Sequence, residues 1–238
     1  MTVARFGRPH RHLRRTGSTN ERARELAESG APSGTVVTAD EQSAGRGRRG
    51  RAWSAPPGKA LLYSALLRPL DERHSLLPLA VPLAVCDAVE AVAPVGCHVK
   101  WPNDVWVEER KIAGVLIEAR PPDWAVIGIG INVAIEPEEF PPELRWPATS
   151  VGHGATAAAL LGALNDALSE WIERPPTATL ADFRKRDALL GREVSWEGAG
   201  HGAGVARGAD ERGNLVVETV EGERVALGSG EVTLRVGA

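Results

Sequence analysis

Between Cys97 and Ile135 the chain runs through three strand-like stretches, "CHVKW", "DVWVEERKIAGVLIEAR" and "WAVIGIGINVAI". Only short polar turns separate them, which predicts a β-hairpin or meander. Around this sheet the periodicity changes. "GSTNERARELAESGAP" reads as a helix, with Ser18 and Glu21 spaced as a capping box and Gly30 and Pro32 as its stop. "TVVTAD" (35–40) and "ALLYSALLR" (60–68) read as strands. The apolar run 75–92 has helical spacing, with Pro78 and Pro82 near its start, and 156–174 is amphipathic up to Pro175 and Pro176. "LADFRKRDALL" (180–190) reads as a further helix. From Gly191 onward five short alternating segments follow, punctuated by glycine, as in a small β-barrel. The 238 residues suffice for one domain, or one domain with a small appendage. The expected architecture is therefore mixed α and β, followed by a small β domain.

The arginine stretch "GRGRRGRAW" (45–53) carries chemistry. Arg46, Arg48, Arg49 and Arg51 fall among glycines in a chain whose formal net charge is −3. Glycines let backbone N–H groups curl round an anion while guanidiniums clamp its oxygens, and phosphate is the natural guest. The segment is not a Walker loop, because G-x-x-x-x-G-K-[ST] is absent. An exposed basic loop without a ligand is the plain alternative. An RNA-binding patch is another, but aromatic interleaving and a basic surround are missing. The overall charge offers no field to hold nucleic acid or an anionic membrane, and no apolar run is long enough to span one. Cys86 and Cys97 read as buried reduced thiols of a cytoplasmic protein.

Lysine is rare: Lys59, Lys100, Lys111 and Lys185 are the only four. Two of them flank "KWPND" and "KIAGV". Asn103-Asp104 after a proline is explained by a turn alone. Gly114, inside an apolar strand, marks a close approach to the backbone. "GIGIN" (128–132) is too short for a dinucleotide fingerprint, and a bulged core strand accounts for it.

Together, "STN" (18–20), "EQSAGRGRRGRAW" (41–53), "KWPNDV" (100–105), "KIAGVLIE" (111–118), "GIGIN" and the C-terminal "SGEVTLR" (229–235) resemble the bacterial biotin–protein ligases in order and approximate spacing. The resemblance covers nearly the whole chain. It implies an α+β fold: a mixed β-sheet catalytic domain with flanking helices over 1–189, then an SH3-like β-barrel over 190–238. With the STN motif starting at Ser18, it implies the short form without the DNA-binding repressor domain. It implies that biotin and ATP, with Mg²⁺, give biotinoyl-5′-AMP and pyrophosphate. The biotinoyl group then passes to a lysine of a biotin carboxyl carrier domain. Nucleic acid and membrane partners are not expected, and the assembly is a monomer or weak homodimer.

Residue by residue, the resemblance implies Lys111, Arg48 and Asp104 as catalytic, with Asp104 receiving the acceptor lysine. Ser18, Thr19, Gln42, Gly45, Arg46, Arg48, Lys111, Gly114 and Gly128 would line the biotin side. Arg46, Arg48, Arg49, Arg51, Trp53, Lys111 and Asn132 would line the nucleotide side. No metal ligand is assigned. Trp53 read alone fits a core position equally well, and Asp104 fits a turn or cap. A lipoate ligase of the same superfamily is the alternative function. Ser43 departs from the family's usual second glutamine. The proline-rich 136–154 is peculiar to this chain, and Arg5–Arg15 has no counterpart, which suggests a disordered arm.

Overall fold

The computed structural model describes residues 5–144, 146–152, 154–198, 200–228 and 231–234. The elements are β1 (His10–Thr16), α1 (Thr19–Glu28), β2 (Val36–Gln42), β3 (Ala60–Leu67), α2 (Leu77–Glu90), β4 (His98–Lys100), β5 (Asp104–Val107), β6 (Arg110–Arg120), β7 (Trp124–Asn132), α3 (Ala157–Trp171) and α4 (Pro176–Arg186). A second set follows: β8 (Glu193–Gly198), β9 (Gly200–Ala209), β10 (Leu215–Thr219), β11 (Arg224–Leu227) and β12 (Glu231–Leu234).

The expected meander forms. β4 to β7 pair successively and antiparallel inside a seven-stranded sheet of order β1-β2-β3-β7-β6-β5-β4. Its β5–β6 hairpin turns on Glu108 and Glu109, both at positive φ (49° and 61°), without the usual glycine or asparagine. Strand alternation splits the sheet into two faces. On one, Leu61, Tyr63, Ala65, Ile127, Ile129 and Val115 pack with α2 and α3 into the main core. On the other, Leu66, Val37 and Val126 meet Ala23 and Ala27 of α1. Helix α1 covers only part of that second face, and the candidate site occupies the rest. Helix α2 is buried almost all round, which explains its unbroken apolar run; Pro82 lies inside the helix rather than at its start.

Four expectations need correction. Arg5–Arg15 is not a disordered arm: β1 pairs in parallel with β2 from His10↔Val36 to Thr16↔Gln42, and Phe6 is buried. The capping box is not made. Ser18 sits at the N-cap without a side-chain cap bond, and Gln42 Oε1 instead accepts from Thr19 N at 2.7 Å. The last helix starts at Pro176 and ends at Arg186, because Asp187 is extended and bridges to Val99. Finally, the five C-terminal strands form a second sheet of order β11-β10-β9-β8-β12, with no β11–β12 pairing among the described residues. Of "SGEVTLR", Ser229, Gly230 and Arg235 lie outside the described residues. The second sheet is packed onto the first: Val194, Trp196, Leu215 and Val217 join the main core, and Trp101 Nε1 donates to Gly213 O at 3.0 Å. Cys86 and Cys97 are buried free thiols.

Candidate active site

Directly opposed residues in a sheet project to the same side. Lys100, Asp104, Gly114, Gly130 and Leu62 therefore form one row across β4, β5, β6, β7 and β3. A parallel row holds Leu116, Gly128 and Ser64. Above these rows lies a cavity of about 450 Å³, within the usual range for small-molecule pockets. Its glycines admit protein side chains. A Cβ on Gly130 would overlap the Trp53 indole, one on Gly114 would come 3.0 Å from the same ring, and one on Gly128 would overlap the Asn20 carboxamide. Gly114 and Gly128 thus face the cavity, but the room they leave is taken by Trp53 and Asn20.

One end of the cavity is closed and polar. Thr19 N and Oγ1 meet Gln42 Oε1 (2.7 and 3.0 Å), and Ser64 Oγ lies 2.8 Å from Thr19 Oγ1 and 2.6 Å from Asn20 Oδ1. Asn20 Nδ2 donates to Glu118 Oε2 at 2.8 Å, which fixes its orientation. The three oxygen–oxygen contacts have only the Thr19 and Ser64 hydroxyl hydrogens to share. This end is therefore rich in acceptors and suited to ligand N–H donors.

The other end is ionic. Residues 111 and 114, three apart, would point to opposite faces of a regular strand. The register shift between Val105 and Trp106 inserts an extra residue in β6 and brings both onto one face. Lys111 Nζ then lies 2.6 Å from Asp104 Oδ1 and 5.6 Å from the Trp53 ring centroid. Asn103 Nδ2 donates to Asp104 Oδ1 at 3.1 Å, and Arg48 donates to Asn103 Oδ1 at 3.2 Å. Burial, and then Arg49, hold the Arg48 guanidinium below its ordinary pKa, while Asp104 acts the other way. The arginine segment is a narrow loop closed by an Arg46–Ala52 bridge, with Arg49 at φ 57°. Gly45 is tightly placed at its base, where Trp53 N donates to its carbonyl at 3.0 Å. Arg46 reaches Glu21 at 3.7 Å, while Arg49 and Arg51 border a recess shared with Lys100 and Asp104.

Segment 133–152 walls the cavity with Phe140, Leu144 and Trp146. It is tied to the sheet through the Lys111 backbone, whose N–H donates to Pro147 O (2.8 Å) and whose carbonyl accepts from Thr149 N (2.9 Å). Asn132 Nδ2 donates to Thr149 O at 2.9 Å and to Lys111 O at 3.4 Å, so its amide hydrogens hold this strap. Lys59 anchors it from outside through Glu139 at 2.5 Å.

The structure thus gathers Ser18, Thr19, Gln42, Arg46, Arg48, Arg51, Trp53, Lys111, Gly114, Gly128 and Asn132 round one cavity. Asp104 and Arg49 border the neighbouring recess, which shares Arg48, Arg51, Asn103 and Trp146 with the cavity. Sequence reasoning passed over Asn20, Ser64 and Trp146. Asn20 stands in the quoted "STN", but Ser64 is an isolated polar residue in a buried strand, visible only as that anomaly. Residues 12–132 match the family model described as the biotin/lipoate A/B protein ligase family.

The chain belongs to that family.

Among its relatives, a biotin–[acetyl-CoA-carboxylase] ligase of Mycobacterium tuberculosis is 36% identical, over 91% of this chain and 85% of its own. Another from Paracoccus denitrificans is 34% identical, over 90% of this chain and 95% of its own. The structure of the biotin protein ligase from Aquifex aeolicus in complex with biotin and ATP superposes with TM-score 0.82 at 34% identity. It covers 96% of this chain and 99% of that one. Within the family, these similarities run to biotin–protein ligases.

Proposed function

We propose that this protein is an ATP-dependent biotin–protein ligase. The observation that carries the reading is one cavity with an acceptor-rich closed end and a cationic end at Lys111 and Arg48. A ureido ring offers N–H donors to the Thr19, Gln42 and Ser64 oxygens, whereas the dithiolane ring of lipoate offers none and would leave them unpaired. This favours biotin over lipoate.

Biotin lies with its ring at the closed end and its carboxylate toward Lys111. ATP lies under the strap beside Phe140, Leu144 and Trp146. Both reactants are anions, so Lys111 and the arginines lower their repulsion as the carboxylate oxygen attacks the α-phosphorus and pyrophosphate leaves. Mg²⁺ fits this scheme as a companion of the triphosphate. Among the described residues no cluster of three His, Cys, Asp or Glu is placed to hold a metal by itself. The acceptor lysine of a biotin carboxyl carrier domain then attacks the mixed anhydride, with Asp104 beside it and AMP leaving. The five-stranded second sheet, β11-β10-β9-β8-β12, takes the place of the family's C-terminal β domain beside the catalytic sheet. No helix among the described residues is long and apolar enough to cross a membrane.

The test incubates the protein with a carrier domain, MgATP, and biotin or lipoate. A mass increase of one biotinoyl group, with AMP and pyrophosphate released, is expected, and excess lipoate does not suppress it. Lipoyl transfer in preference to biotinoyl transfer would replace this reading with its alternative.

A further inference from the structure

Two residues assigned to different halves of the reaction hold each other. Lys111 Nζ, assigned to the carboxylate and α-phosphate, lies 2.6 Å from Asp104 Oδ1, assigned to the acceptor amine. That oxygen also accepts from Asn103 Nδ2 at 3.1 Å, and Asn103 Oδ1 is held by Arg48 at 3.2 Å. Asp104 is buried, so its carboxylate depends on these partners rather than on water. The charged groups round it are Lys111 from β6, Arg48, Arg49 and Arg51 from the arginine loop, and Lys100 from β4.

We propose that the Lys111–Asp104 pair is an interlock between the two half-reactions: Asp104 becomes available to the acceptor lysine only when the adenylate has drawn Lys111 away. The inference rests on the biotin-ligase reading and adds an order of events to it. A phosphate bound beside Lys111 competes with Asp104 for one ammonium. When the phosphate wins, Asp104 keeps Asn103 as its donor and turns a free oxygen toward the recess bordered by Pro102, Lys100 and Val232. An acceptor ammonium arriving through that recess replaces the lost positive charge. Asp104 takes its first proton and the neutral amine attacks the acyl carbon. A C–N bond forms, the C–O bond to phosphate breaks with its electron pair leaving on AMP, and the nitrogen's second proton is released to water. Before the adenylate forms, an entering lysine meets a carboxylate already paired, so the carrier does not occupy the site early. Asn103 is a positioning residue here, since it holds the carboxylate in place through the exchange.

The half-reactions are measured separately: biotin-dependent exchange of pyrophosphate into ATP, and single-turnover transfer from purified biotinoyl-AMP to a carrier domain. In Asp104→Asn, Lys111 is released from its partner. The KM for ATP in exchange falls roughly threefold or more, while transfer slows by about 100-fold, a size typical of a lost general base. Residual transfer rises about tenfold per pH unit from pH 6.5 to 8.5, as for an amine of pKa roughly 10.4 deprotonated by solvent. The wild type rises less steeply. Asp104→Ser keeps an acceptor toward Asn103 and gives the same comparison if the asparagine variant does not fold. A parallel loss of exchange and transfer would mean that Asp104 merely orients Lys111, and unchanged transfer would remove it from the second half-reaction; either overturns the interlock. Absence of exchange in the wild type would instead overturn the biotin-ligase reading.

Discussion

Lys111 sits in a space cut to an ammonium. Its Nζ is between Asp104 and the Trp53 ring, and its Cε and Nζ lie 3.2 Å from where a Gly114 Cβ would be. A guanidinium keeps the charge but needs a broad planar slot. Lys111→Arg is therefore expected to lower the rate of pyrophosphate exchange by about 100-fold or more, the scale of losing one oriented donor to a developing anion. A rate within about fivefold of the wild type would take Lys111 out of the reaction. Lys111, Asp104 and Arg48 are visible because rare or clustered charges stand out. Ser64 and Asn20 gain their meaning only when β3 and α1 meet over Gly128, and no local pattern encodes that contact. Gly114 advertised close approach correctly, but to Trp53; Gly128 lies in an unbulged ladder and makes room for Asn20 instead.

At the scale of elements, the strands of the meander were legible because each is an apolar, β-branched run bounded by a short polar turn. β1 was not. Its His and Arg side chains are mostly exposed, and its partner β2 lies beyond a helix and runs parallel, so neither composition nor spacing marks it. The lead into β1 is nonetheless fixed by Phe6 in the main core, and Phe6→Ala is expected to cost about 3 kcal/mol in denaturant unfolding. A change below about 0.5 kcal/mol would restore the disordered arm. The arginine loop is held to the sheet by Arg48 and Asn103, with little else burying its tip. Arg48→Gly removes that tie, and lids so weakly held open readily. The variant is expected to lose biotinoyl-AMP to solvent and to label an unrelated lysine-rich protein several times more than the wild type does. If it consumes ATP and biotin while that protein stays unlabelled, the loop is not what retains the intermediate.

Across the whole molecule, Asp187 marks the seam between the two sheets, bridging to Val99 of β4 just ahead of β8. Its Oδ2 is buried without a partner, and burial pushes its carboxyl up to about 6. Between about pH 4 and pH 6 the folded chain then holds this proton more tightly than the unfolded chain, whose Asp titrates near 3.9. Stability from this group falls as pH rises through that window, and the full penalty, about 3 kcal/mol, is present above it. Asp187→Asn is expected to raise the denaturation midpoint at pH 7.5 and to change it little at pH 4. Equal effects at both values would refute the titration argument. The helix expected over 180–190 stops short at this seam, because the backbone after Arg186 pairs with β4, a partner far away in sequence.

The row of facing residues across the main sheet acts as a ruler. Strands stand about 4.8 Å apart, so from Gln42 on β2 to Lys111 on β6 is three intervals, roughly 14 Å. A ligand lying across the strands has its length read against backbone hydrogen bonding, which no side-chain change can stretch. Analogues of biotin with one methylene more or fewer in the valeryl chain should bind at the ring end yet present their carboxylate out of step with Lys111. Their losses should fall in kcat rather than KM, and single substitutions in the cavity should not shift the preferred chain length.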